Sequence, residues 1–352
     1  YGLSLLVAAA LTYLVMPVVR AAALRVGAVA GVRDRDIHDH AIPRWGGVGM
    51  FFGLLAGMLL ASKLPMMRSV FEGAATEGVA LLSGAVIIVL LGLADDRWEL
   101  DAPTKMAGQV LAAAVMALQG ITLLWLPIDG VLVLDPTTSV LMTVLIVLVS
   151  VNAINFIDGL DGLAAGITMV SAAAFFVYGY PLSVQFGVER ATLSALVSAL
   201  LVGMCIGFLP HNVFPARLFM GDTGSMLIGY LMAASVITLA GKVDPNALEE
   251  TTLLPALLPI LVPLAVLAVP LIDLALAVVR RTRAGRSPFA PDKQHLHHRL
   301  LEMGHSQRRA VLLLTSWAAL ISFSVVLLAF FPLRYALTAS ALGAILLGVG
   351  VA

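Results

Sequence analysis

The chain alternates long apolar stretches with short polar interruptions, and within a stretch the apolar residues run unbroken instead of every second position. Strict alternation would mark the strands of a membrane barrel. Unbroken runs of about 17–25 apolar residues mark helices that cross a bilayer, whose hydrocarbon core takes about 20 residues of helix. Eleven such runs are predicted, near 3–24, 46–62, 78–94, 106–126, 138–153, 162–180, 191–210, 223–241, 253–279, 310–331 and 335–352. The 253–279 run carries Pro255, Pro259, Pro263 and Pro270 and is expected to be kinked or broken. The opening run is followed by no cleavage site and reads as a span, not a signal peptide. The expected fold is all-α: a polytopic transmembrane helical bundle of about eleven spans, one domain over 1–352 without internal repeat or separate soluble unit.

Composition removes the soluble alternative. Of the 352 residues 60% are apolar and 12% charged, and mean hydropathy is +1.00, far from the balance of a water-soluble domain. Net charge is zero, so no global field points to nucleic acid. The single cysteine, Cys205, lies inside an apolar run and reads as a packing residue.

Where the charges sit is more informative. Of the twenty-one lysines and arginines, sixteen fall at the loops and span ends after the odd-numbered spans and five on the opposite face. The positive-inside rule then places the N-terminus outside and the C-terminus in the cytoplasm. On that same cytoplasmic face lie Asp95, Asp96, Asp158, Asp161 and Asp222, each at or just past the end of an apolar run. Asp273 instead falls within a span, where it serves either function or a hydrogen bond to a neighbouring helix.

Five polar segments carry the candidate chemistry. Asp95-Asp96, with Lys105 ten residues after Asp95, places adjacent carboxylates at a membrane boundary. Such a pair suits a divalent metal or a tuned base, or is a solvated helix end, while Lys105 is a point charge suited to phosphate or a snorkelling anchor. Asn152, Asn155, Asp158 and Asp161 recur every three residues, with Gly159 and Gly162 between them. On a helix this spacing gives a slanting polar stripe, hard to explain as packing unless the segment is simply a turn. Asp222 in Gly221-Asp222-Thr223-Gly224-Ser225, preceded by His211-Asn212, suits Mg²⁺ or caps the following helix. The loop around Lys293, His295, His297, His298 and Arg299 has no cysteine to complete a zinc site. Hydrogen bonding to a phosphorylated substrate is the better reading, with attraction to anionic lipid as the alternative. Last, His38 to Gly47, with Arg44, links the first two spans, and its Gly46-Gly47 start would let a ligand or another chain approach closely.

In order and on one face, these segments resemble the polyprenyl-phosphate N-acetylhexosamine-1-phosphate transferases, over nearly the whole chain. The resemblance implies an Mg²⁺-dependent enzyme, Mn²⁺ being a possible substitute, that transfers a sugar phosphate from a UDP-amino sugar to a polyprenyl phosphate and releases UMP. It implies a bacterial plasma-membrane location, with the active site facing the cytoplasm on segments 33–47, 95–105, 152–162, 211–225 and 286–309, and it allows a homodimer. Carried over by position, Asp222 matches the metal-binding aspartate and Asp95 and Asp96 the acidic pair, with metal and base roles both open. Asn155, Asp158, Asp161, Asn212 and Lys105 match the nucleotide and metal cleft. His38, Arg44 and Arg299 join them as substrate-binding candidates, and Asp95, Asp96, Asp158 and Asp222 are the catalytic ones. The His295-x-His297-His298 pattern resembles the N-acetylglucosamine branch, with the muramoyl-pentapeptide branch or another UDP-amino-sugar donor as the alternative. Asp36 departs from the basic residue many relatives carry before the histidine. A secondary transporter would share the hydrophobicity and broken helices, but would place its charges near the membrane midplane within repeated halves. A non-catalytic scaffold or lipid-binding protein is the third reading.

Overall fold

The structure, a computed structural model, describes residues 1–30, 42–71, 77–126, 132–184, 189–240, 253–283, 285 and 295–351. Its helices are α1 (Gly2–Val26), α2 (Gly46–Ala61), α3 (Arg68–Phe71), α4 (Glu77–Trp98), α5 (Ala102–Leu118), α6 (Pro136–Ile157), α7 (Leu163–Val184), α8 (Glu189–Asn212), α9 (Gly221–Ala240), α10 (Leu253–Val266), α11 (Ala268–Arg283), α12 (Leu296–Glu302), α13 (Gln307–Phe330) and α14 (Leu333–Val351). Two short antiparallel ribbons join β1 (Val29–Ala30) to β2 (Ile42–Pro43) and β3 (Trp125–Leu126) to β4 (Leu132–Val133). The fold is therefore mostly helical, as expected. All eleven apolar runs are helical over most of their length. Among the described residues, α1, α4, α6, α7, α8, α9 and α13 are long and apolar enough to cross a membrane, whereas α2, α5 and α14 are apolar but shorter.

Local chemistry sets several boundaries. Asp101 accepts from the Thr104 amide to open α5, and Asp135 accepts from Thr137 and Thr138 to open α6, each with a proline in the first turn where its missing N–H costs nothing. Gly27, at φ +77°, closes α1. The run expected at 106–126 is shorter as a helix. It ends at Leu118, Gly120 takes φ +104°, and the chain beyond leads into the β3 strand. The 253–279 run is broken at Leu267. Pro270 has no N–H to give the Val266 carbonyl, and the first segment stops at that residue.

Helices α8 and α9 are almost wholly buried, while α13 and α1 keep most of their surface outward. Helix α9 packs against α2, α4, α6 and α8, so its N-terminus is the point on which the ends of other helices converge.

Candidate active site

The α9 N-terminus is built by its neighbours. Asp96, at the end of α4, accepts from the amides of Asp222 (2.8 Å) and Thr223 (3.1 Å) and from the Thr223 hydroxyl (2.6 Å). These bonds satisfy donors that a helix start leaves orphaned, and they place a carboxylate at the positive end of the helix dipole. Gly221, at φ +70°, lets the chain turn beneath that carboxylate, because a Cβ there would strike the Arg44 carbonyl and both Asp96 oxygens. On the other flank, the amides of Gly46 and Gly47 donate to the carbonyls of Phe219 and Met220. The close approach expected at Gly46-Gly47 is thus made by the chain's own 219–224 segment.

Asp222 then points into a ring of polar groups from four helices. Lys105 Nζ lies 2.8 Å from Asp222 Oδ2 and 2.7 Å from Asp95 Oδ2. Asn155 Nδ2 donates to Asp222 Oδ1 (3.1 Å) and to the Ser225 hydroxyl (2.8 Å). The remaining Asp95 oxygen accepts from the Leu100 amide at 2.8 Å, which fixes the turn between α4 and α5. Asp158 closes α6, half-buried, beside this ring. Burial first, and then the charges of Asp222, Asp96 and Asp161, push its carboxyl up to about 7.

Asp161 and Asn212, expected in the nucleotide cleft, are both buried and tied to backbone. Asp161 Oδ2 accepts from the Ala216 amide at 2.9 Å. Asn212 Oδ1 accepts from Gly162 N at 2.9 Å, and its Nδ2 donates to the Leu218 carbonyl at 3.0 Å. Together they lace the α6–α7 turn to the 212–220 loop and so set where Asp158 and Asp222 stand. Arg44 lies near Glu99, 3.9 Å between charged atoms, with its carbonyl against Gly221. His38 falls outside the described residues.

The histidines form a second group. His295 Nδ1 is 2.8 Å from Asp273 Oδ2, and the ring stacks against Phe156 at 5.8 Å and parallel to His297 at 5.7 Å. His297 is only 1% exposed, and neither of its ring nitrogens has a hydrogen-bond partner among the described residues. Burial, then the neighbouring rings of His298 and His295, push it down to about 3, so it stays neutral at any working pH. His298 is half-buried beside it, 4.3 Å between ring centroids, and Arg299 is exposed. A Cβ on Gly159, the residue after Asp158, would collide with the His297 ring, so the two groups abut there.

Sequence reasoning passed over Gln109 and Ser225 as site residues. Gln109 accepts from Asn152 Nδ2 at 2.8 Å, which fixes the α6 stripe against α5. Gln109 stands four residues after Lys105, one helical turn further into the bundle, and that spacing was the available signal.

The donor set fits a hard divalent cation. Asp95 and Asp222 already share one positive charge, that of Lys105, at hydrogen-bond distance. Oxygen ligands of this kind select Mg²⁺ or Mn²⁺, and Mg²⁺ typically takes one or two carboxylates with substrate phosphate and water. No group of three or more histidine, cysteine or acidic residues able to cage a metal occurs among the described residues.

The profile of glycosyl transferase family 4 matches residues 79–240, the stretch holding Asp95, Lys105, Asn155, Asp158 and Asp222. Decaprenyl-phosphate N-acetylglucosaminephosphotransferase of Mycobacterium tuberculosis is 46% identical over 94% of this chain and 82% of its own length. The Mycobacterium leprae protein of the same name is 45% identical over 97% of this chain and 86% of its own length. Undecaprenyl-phosphate alpha-N-acetylglucosaminyl 1-phosphate transferase of Yersinia pestis is 30% identical over 87% and 78%.

Proposed function

Because the chain belongs to glycosyl transferase family 4, as a multi-pass membrane protein, we propose that it transfers N-acetylglucosamine 1-phosphate from UDP-N-acetylglucosamine to a polyprenyl phosphate and releases UMP. The observation that carries this reading is the convergence of Asp95, Lys105, Asn155, Asp158 and Asp222, from parts of the chain up to 127 residues apart, on one helix N-terminus. The names of the relatives support N-acetylglucosamine as the sugar.

Both reactants are anionic, so the barrier is largely electrostatic and positional. A lipid-phosphate oxygen attacks the sugar-bearing phosphorus. A P–O bond forms there as the bond to the UMP oxygen breaks, and UMP leaves with the electron pair. The acceptor phosphate is already largely ionised near neutral pH, its second pKa being about 6, so a base has little proton to remove. Asp95 accepts that proton in the fraction of acceptor that still carries it. Lys105, held by Asp95 and Asp222, offers the phosphates a fixed positive charge, while Asn155 holds the Asp222 carboxylate in place. Mg²⁺ held by Asp222 and Asp95 would supply neutralisation of charge on the pyrophosphate. The excess of cations on the loops of this face supports a cytoplasmic site, where a soluble UDP-sugar and a lipid phosphate at headgroup depth can meet.

Purified protein in nanodiscs with Mg²⁺, polyprenyl phosphate and a panel of UDP-sugars tests the proposal. UMP is expected with UDP-N-acetylglucosamine and only when the acceptor is present. Stoichiometric UMP without acceptor would replace the single displacement by a phospho-enzyme, and no UMP with any donor would end the reading.

A further inference from the structure

Asp273 is an acidic residue that the catalytic scheme leaves unused, and it is deeply buried, at 1% exposure. Its two oxygens are divided. Oδ1 accepts from the Leu296 amide at 2.9 Å, and Oδ2 meets His295 Nδ1 at 2.8 Å. The sequence left it open whether this carboxylate serves a neighbouring helix or function. It reaches the first histidine of the histidine segment, twenty-two residues on.

A carboxylate can only accept, so the nitrogen facing it carries the proton, and Nε2 is the nitrogen left for a ligand. The rings of Phe156 and His297 stack on that of His295 at 5.8 and 5.7 Å, and Phe156 lies one residue after Asn155, which bonds Asp222. Resting on the phosphotransferase reading above, we infer that Asp273 is a positioning residue for His295. It fixes the tautomer and orientation of that ring, so that Nε2 is presented to the phosphorylated reactants, while His297 serves as packing.

Asp273→Asn gives a specific expectation. Asparagine has one acceptor oxygen where aspartate has two, and the Leu296 amide cannot donate to an NH₂ group. The amide oxygen therefore turns to Leu296, and the NH₂ group faces His295 Nδ1. That forces the proton onto Nε2 and inverts the tautomer with the shape of the site retained.

The experiment uses the full chain in nanodiscs with ¹⁵N-labelled histidine, the His295 signals being identified by their loss in His295→Asn. In the wild type Nδ1 is expected to be protonated, and in Asp273→Asn the proton is expected on Nε2. With UDP-N-acetylglucosamine and polyprenyl phosphate, Asp273→Asn should lower kcat/KM by about 10- to 100-fold, the usual scale for a residue that orients a functional histidine. In the His295→Asn background the same substitution should cost nothing further, because its effect runs through the ring. An added loss there would mean that Asp273 only anchors the start of α12, and would overturn the inference. So would an unprotonated Nδ1 in the wild type, a reading available even if the variant does not fold, or an Asp273→Asn enzyme as active as its parent. A wild type that makes no UMP would instead count against the functional reading, with the tautomer measurement still testing the dyad.

Discussion

The acidic centre and the histidine group abut at Gly159 yet solve the burial of polar atoms in opposite ways. Around Asp222, atoms are bonded across helix boundaries: Lys105 to two carboxylates, Asn155 to Asp222 and Ser225, Asp96 to three donors at the head of α9. The histidines contact one another ring against ring, and neither of the two buried His297 nitrogens has a hydrogen-bond partner among the described residues. A buried polar group without a partner costs about 1–3 kcal/mol, whereas a satisfied network gains in a low dielectric. Residues that a motif presents as equals therefore divide. The first region is organised to hold charge, and the second to hold one oriented ring.

The largest expected effect tests that division. Asp222→Asn keeps the side-chain shape, still offers Asn155 an acceptor and still lets Asp96 cap α9, but it removes the charge shared with Lys105. Losing such an electrostatic contact should lower kcat on the order of 10³-fold while thermal unfolding stays near wild type. His297→Phe, which keeps a buried ring, should cost less than about 10-fold in the same UMP assay. Equal losses would show that the two regions share one task.

Much of this was legible in advance for identifiable reasons. Helical runs declare themselves by length, and Asp95, Lys105, Asn155, Asp158 and Asp222 stood out because charged and amide groups seldom end apolar runs together on one face. What could not be read was which partner each polar atom would choose. Asp95 and Asp96 are neighbours in sequence, yet about 100° apart around a helix, so one turns to Lys105 and the other to the α9 amides. Asp161 and Asn212 find backbone partners 55 and 50 residues away, a matter of tertiary packing that no local pattern contains. The end of α5 was missed because Ile121–Leu126 is as apolar as a helix would be, and a short apolar run does not distinguish strand from helix.

An intermediate effect probes the seam between the two regions. In Gly159→Ala the new methyl group meets the His297 ring, which is buried against the rings of His295 and His298 and has little room to retreat. Overpacking of this kind costs about 1–3 kcal/mol. Thermal unfolding should show the loss, and Gly159→Ala combined with His297→Ala should recover much of it relative to His297→Ala alone. Simple additivity would place the strain in the turn and not in the ring.

The smallest effect near neutral pH is a pH dependence of stability. His297 stays neutral in the fold down to about pH 3, whereas an unfolded histidine takes a proton near ~6.5. Between those values the unfolded chain binds the extra proton, so stability rises with pH across the window and is fully present above 6.5. The slope is at most about 1.4 kcal/mol per pH unit from this one group. The unfolding midpoint of the wild type should therefore fall on acidification more steeply than that of His297→Phe, the difference opening below 6.5 and vanishing at 7.5. Carboxylates of the acidic centre titrate in both proteins and cancel in the comparison, so the difference isolates the ring. Parallel curves would mean that His297 finds a hydrogen-bond partner in the membrane-embedded protein, and that the dry region is not dry.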